Sequence, residues 1–161
     1  MKQAPDGIVI GLISDTHGML RPSVHRAFEG VELILHAGDV GGHDILDELR
    51  LIAPVQAVFG NTDPIGDPLL RESLKLQHGG VTIHVSHGHE LGAPTPARLL
   101  SKYPETVIVY GHTHKQLITV ADERLVINPG AAGARRFKLE PSVARLTIRN
   151  GAPEVELVAL D

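Results

Sequence analysis

Ile8-Val9-Ile10-Gly11-Leu12-Ile13-Ser14-Asp15-Thr16-His17 begins as a β-branched apolar run and ends on a hydroxyl, a carboxylate and an imidazole. The run Ile8–Ile13 has strand length and no polar alternate set, so it predicts a strand with both faces covered. The same order recurs four times. Residues 31–35 precede His36-Ala37-Gly38-Asp39, and 55–59 precede Gly60-Asn61-Thr62-Asp63. Val81–Val85 precedes Ser86-His87-Gly88-His89, and 107–110 precede Gly111-His112-Thr113-His114. Helical spacing fills the gaps: Val24, Ala27 and Phe28 after Pro22, Ile45, Leu46 and Leu49 after Gly42, and Ala97, Leu100 and Tyr103 after Thr95-Pro96. Thr95-Pro96 reads as an N-cap followed by the first helical residue. Strands alternating with helices predict an α/β fold with several parallel strands and both sheet faces covered.

The C-terminal third changes character. Ala121-Asp122-Glu123-Arg124 and Asn150-Gly151 are turn signals between closely spaced apolar runs, and Asn-Gly is a strong hairpin signal. Ser142–Arg149 and residues 154–157 alternate apolar with polar, as half-buried antiparallel strands do. A C-terminal β-meander is expected, with 63–70 as a long loop at the rim. The length, 161 residues, predicts a single domain over 1–161.

Composition narrows the functions. Net charge is −4, with no basic stripe to hold a nucleic-acid backbone, so stable nucleic-acid binding is not expected. Two Tyr, three Phe and no Trp supply few stacking platforms. The absence of Cys removes disulfides, thiolate zinc sites and cysteine nucleophiles together. No apolar stretch near the N-terminus has the length of a signal core or membrane span, which predicts a soluble cytoplasmic protein without a membrane partner. Ten histidines without cysteine direct any metal chemistry to nitrogen and oxygen ligands.

The five polar clusters follow strands, and in open α/β sheets the carboxyl ends of strands share the edge where ligands bind. Asp15 and His17, like His112 and His114, are spaced i and i+2, which in extended chain puts both side chains on one side. Gly38, Gly60 and Gly111 directly precede Asp39, Asn61 and His112, where positive φ or close backbone approach would help a loop bend around an ion. Asp15, His17, Asp39, Asn61, His87, His112 and His114 are too many ligands for one ion. A catalytic ion commonly takes three protein ligands and an open position, so seven with one shared carboxylate suit two ions.

The motifs Asp15-x-His17, Gly38-Asp39, Gly60-Asn61-x-Asp63, His87-Gly88-His89 and Gly111-His112-x-His114, in this order, resemble the calcineurin-like metallophosphoesterases. The resemblance runs over residues 8 to 130, through Asn128-Pro129-Gly130. It is narrower still to the small single-domain phosphodiesterase branch, which includes the metallophosphoesterase-like subunit of retromer. It implies a β-sandwich core flanked by helices. It implies that Asp15, His17 and His114 hold one divalent ion, that Asn61, His87 and His112 hold another, and that Asp39 bridges them. Family members often take Mn²⁺, with Fe, Zn, Ni or Co as substitutes, and mixed oxygen and nitrogen ligands do not choose among these. Two such ions, about 3.5 to 4 Å apart, would leave a local charge of about +2 and could activate a bridging hydroxide for hydrolysis of a small phosphoester. Catalytic roles fall to Asp39, to Asn61 through its amide, and to His89. Larger relatives carry His after the Gly-Asn pair, whereas this chain has Thr62. His89 is therefore the candidate proton donor, and a supporting or exposed role is the alternative. A second function class is a scaffold that keeps the fold without catalysis, and a third is a regulator with structural ions. Seven ligand-competent positions favour the enzyme.

Other polar residues read more plainly. His36 and His84 are expected as hydrogen-bonded interior residues, and His25, His43 and His78 as solvated. Asp63 reads equally as a loop cap or as a partner orienting a ligand His. Arg135 and Arg136 read as a solvated pair that could instead reach a substrate phosphate, and Asn128-Pro129-Gly130 reads as a turn.

Overall fold

The computed structural model describes residues 7–135 and 138–161. In it the apolar runs become strands β1 (Ile8–Ile13), β2 (Leu33–His36), β3 (Val55–Ala57), β5 (Val81–Val85) and β6 (Val107–Val109). Helices α1 (Ser23–Ala27), α2 (His43–Arg50) and α3 (Pro96–Lys102) fall in the expected gaps. Thr95 caps α3, its side chain accepting from the Arg98 amide at 3.2 Å. Further strands are β4 (Leu74–His78), β7 (Leu117–Ala121), β8 (Arg124–Asn128), β9 (Ser142–Arg149) and β10 (Ala152–Ala159).

They form two sheets. One has the order β10-β9-β1-β2-β3 and the other β4-β5-β6-β8-β7. Within each, three neighbouring strands run parallel: β1-β2-β3 and β5-β6-β8. The sheets face each other through Ile10, Leu12, Leu33, Leu35, Ile83, Val85, Val107, Val109, Ile127 and Leu146, which share one buried cluster. The alternate residues point outward. Ile13 and Ile34 meet Val24 and Phe28 near α1 and Ile45, Leu46 and Leu49 of α2. Ile108 and Val126 meet Leu99 of α3. A strand with a sheet on one face and a helix on the other has no side for water, which explains the unbroken apolar runs.

The mixed α/β class holds, and one detail is corrected. The C-terminal strands do not form a single meander. They make two hairpins, β7-β8 in one sheet and β9-β10 in the other. Each closes on an expected turn, but β9 pairs with β1, Ile10 facing Leu146, while β8 lies beside β6. A hairpin signal fixes the local partner only. β4 was not anticipated, because Leu74-Lys75-Leu76-Gln77-His78 is an alternating, half-exposed edge strand rather than an apolar run. Gly79-Gly80 before β5 was its available sign. Residues 63–70 form a loop, as read. Among the described residues no helix is long and apolar enough to cross a membrane.

Candidate metal centre

Parallel strands deliver Asp15, Asp39 and Asn61 from the ends of β1, β2 and β3, and His87, His112 and His114 from the ends of β5 and β6. The structure gathers these groups with His17. Asp15 Oδ1 lies 3.3 Å from His114 Nε2, 3.6 Å from His17 Nε2 and 3.8 Å from His87 Nε2. Asp39 Oδ2 lies 3.5 Å from His17 Nε2 and 3.2 Å from His87 Nε2. His17 and His114 bring their Nε2 atoms to 3.4 Å. His112 stands with its ring centroid 5.2 Å from that of His87, and its Nδ1 is 3.2 Å from Asn61 Oδ1.

Each carboxylate is held by one oxygen and presents the other. Asp15 Oδ2 accepts from Ser14 Oγ at 2.6 Å and from the His112 amide at 3.1 Å. Asp39 Oδ1 accepts from the Thr62 amide at 2.9 Å. The free faces, Asp15 Oδ1 and Asp39 Oδ2, point at the imidazoles. His87 is oriented in the same way: its Nδ1–H donates to the Ala37 carbonyl at 2.8 Å, which turns Nε2 toward both carboxylates. Asp15 Oδ1 and His87 Nε2 are buried and, among the described residues, have no hydrogen-bond partner. An imidazole nitrogen this close to carboxylate oxygens is held either by a proton on that nitrogen or by a cation that both groups ligate. With metal–ligand bonds of about 2.0–2.2 Å, two ligands of one ion lie at most about 4.4 Å apart, and every separation given above between a carboxylate oxygen and an imidazole nitrogen is shorter. Two groups have donor atoms that lie within 4.8 Å of one another: Asp15, His17 and His114, and Asp15, Asp39 and His87. The donor set fits divalent cations.

The charges agree. Burial pushes the Asp15 carboxyl up, but His114, His17, His87 and Ser14 together hold it far below the usual carboxylate range. Asp39 is also opposed by burial, yet contacts with His87 and the Thr62 amide bring it down to about 2. Burial pulls His87 down, and the Asp39 and Asp15 carboxylates overcome that and raise it. Burial and the neighbouring His87 lower His112. The carboxylates stay ionised as ligands must.

Local backbone conformation departs from the extended pairs that the i, i+2 spacing suggested. Asp15, His17, Asp39, His112 and His114 all have left-handed φ, between 48° and 72°. At two of the five, backbone bonds accompany it: the Asp15 amide donates to the Gly38 carbonyl and the His17 amide to the Asp39 carbonyl, both at 2.9 Å. Gly60 and Gly111 are needed for close approach rather than positive φ. A Cβ on Gly60 would sit 2.1 Å from Asp39 Oδ1, and one on Gly111 2.0 Å from Ser14 Oγ.

His89 lies beside this group, its ring centroid 5.4 Å from His87 and 6.3 Å from His112, with Nδ1 buried and without a hydrogen-bond partner among the described residues. Asp63 is a loop cap, accepting from the amides of Val40, Gly41 and Gly60 and so tying the Asp39 loop to the Asn61 loop. His36 is interior: Gly38 N–H donates to its Nδ1, its Nε2 pairs with Thr16 Oγ1, and burial lowers its pKa to about 4. His84 is interior too, stacked 3.6 Å from Tyr103. His25, His43 and His78 face surface carboxylates. Arg135 is exposed, and Arg136 lies outside the described residues. Three supports escaped the sequence reading. Asn128 is fully buried and donates to Gly111 O and Thr113 Oγ1, bracing the loop that carries His112 and His114. Ser14 anchors Asp15. Glu90 accepts from the Gly88 amide and from Tyr103 Oη, fastening the His87–His89 segment to α3. Their signal was position beside a ligand, which single residues do not advertise.

Residues 8–151 match the calcineurin-like phosphoesterase superfamily domain. The chain belongs to that family. It is 35% identical over 159 residues to a probable metallophosphoesterase of Methanothermobacter thermautotrophicus, covering 94% of this chain and 92% of the relative. It is 30% identical over 139 residues to a phosphodiesterase of Methanocaldococcus jannaschii, covering 75% and 82%. Among solved structures, Vps29 of Entamoeba histolytica complexed with Zn²⁺ superposes with a TM-score of 0.78 at 24% identity, over 96% of this chain and all of that one. A structure described as a novel archaeal phosphodiesterase gives 0.76 at 24%, over 95% and 100%. The chain therefore shares its two-sheet fold with both.

Proposed function

We propose that this metallophosphoesterase hydrolyses phosphodiesters with the help of two divalent ions, Mn²⁺ in the first instance. The observation that carries the reading is the convergence of seven donors around the buried atoms Asp15 Oδ1 and His87 Nε2, 3.8 Å apart and each without a hydrogen-bond partner among the described residues. The relative named a phosphodiesterase supports the choice of ester. Asp15, His17 and His114 would hold one ion and Asn61, His87 and His112 the other. Asp39 Oδ2, within 3.5 Å of an imidazole from each set, would bridge them. Ions bound there supply an activated water nucleophile and a counter-charge for the phosphoryl oxygens. The protein supplies the rest. Ser14 and the His112 amide keep Asp15 aimed, and the Thr62 amide keeps Asp39 aimed. The Asn61 amide orients the phosphoryl group. His89 would protonate the departing alkoxide, because Thr62 has no titratable group to do so.

Metal content together with rates on a panel of phosphomonoesters, phosphodiesters and cyclic nucleotides tests this. Turnover of diesters with about two ions per chain is expected. Asp39→Ala should lose bound metal and lower kcat/KM by more than the roughly 10- to 100-fold typical of outer partners. A metal-replete protein inert on the whole panel would instead indicate a scaffold.

A further inference from the structure

A cleft of about 460 Å³ adjoins the donor cluster on the Asp39 side, and none of the seven donors lines it. Its near end is Thr62, which follows Asn61 and gives its amide to Asp39 Oδ1. Val40, Leu46 and Leu70 form apolar walls. The carboxylates along it are already engaged. Asp63 is bonded to three backbone amides, and Asp67 accepts from His43 Nε2 at 2.7 Å and from the Leu69 amide at 2.9 Å. The volume is within the range of small-molecule sites, and such walls favour an uncharged ring over a charged or hydrogen-bonding group.

A monoester has a single carbon arm, which departs. A diester has a second arm that stays on phosphorus and must be accommodated. The proposed proton donor His89 lies by His87 and His112, so the departing arm is drawn there, whereas the cleft begins at Thr62, whose amide holds Asp39. We infer that the cleft is a subsite for the retained arm of a phosphodiester, and that this arm is an uncharged aryl or heteroaryl group. The inference deepens the phosphodiesterase reading and rests on it.

The test uses the full chain loaded with Mn²⁺ and three diesters that share p-nitrophenolate as leaving group but retain a methyl, phenyl or thymidin-5′-yl arm. The phenyl and thymidyl esters should exceed the methyl ester in kcat/KM by about tenfold or more. His43→Trp and Pro64→Trp, which obstruct the rim from two different segments, should bring all three esters within about twofold of one another while leaving the methyl ester at its wild-type rate. Methyl NMR of the chain loaded with diamagnetic Zn²⁺ gives a second readout: phenylphosphonate should shift the Val40, Leu46 and Leu70 resonances, and methylphosphonate should not. Equal rates for methyl and phenyl esters would overturn the subsite while the phosphodiesterase reading stands. If no diester is hydrolysed, that reading falls, and the NMR comparison alone decides whether the cleft takes an aryl group.

Discussion

At the scale of single residues, chemistry and support are divided between the two ends of each side chain. Asp15 and Asp39 each spend one oxygen on the protein and offer the other, and His87 does the same with its two nitrogens. His89 stands apart from this scheme, adjacent to two donor rings with a buried Nδ1 that no described residue holds. A group that gives a proton to the leaving oxygen matters only when that oxygen is basic. His89→Ala should therefore slow alkyl leaving groups by about 10²–10⁴-fold and spare p-nitrophenolate, steepening the dependence of log kcat/KM on leaving-group pKa. An unchanged slope would remove His89 from the chemistry. The donors themselves were legible because each directly follows an apolar run. Their left-handed backbone was not, and at Asp15 and His17 it goes with amide bonds to a segment more than twenty residues away, as from Asp15 to Gly38.

At the scale of elements, strands with two covered faces announce themselves and edge strands do not. β1 and β5 were readable to the residue, whereas β4, half exposed, was visible only through the glycine pair behind it. Hairpin turns at Ala121–Arg124 and Asn150-Gly151 were equally plain, but neither turn says which sheet its strands join. That is settled by inter-sheet packing, where Leu146 lies with Ile10 and Ile83. α3 is short and depends on its cap. Thr95→Ala removes the acceptor for the Arg98 amide and should cost about 1 kcal/mol in urea unfolding. The loss should extend beyond the helix, because Tyr103 at its end holds Glu90, and Glu90 holds Gly88.

At the scale of the whole molecule, the loops beneath the donor cluster are joined by a buried imidazole that must remain neutral. His36 has a folded pKa of about 4, pressed down by burial, against about 6.5 when unfolded. A group depressed in this way binds its proton more readily in the unfolded chain. Its contribution to stability is complete above about pH 6.5 and declines as pH falls toward 4, by about 3 kcal/mol in all. The melting temperature should fall over that window, and His36→Gln should flatten the fall. An equal slope in the variant would assign the titration elsewhere. The provenance of the donors has a consequence of its own. Asp15, His17, Asp39 and Asn61 come from one sheet, and His87, His112 and His114 from the other. Each proposed ion would thus take ligands from both layers and act as a rivet through the sandwich. Occupancy would then strengthen the seam in proportion to the logarithm of free metal, and a chelator would prise at the same joint that heat must open.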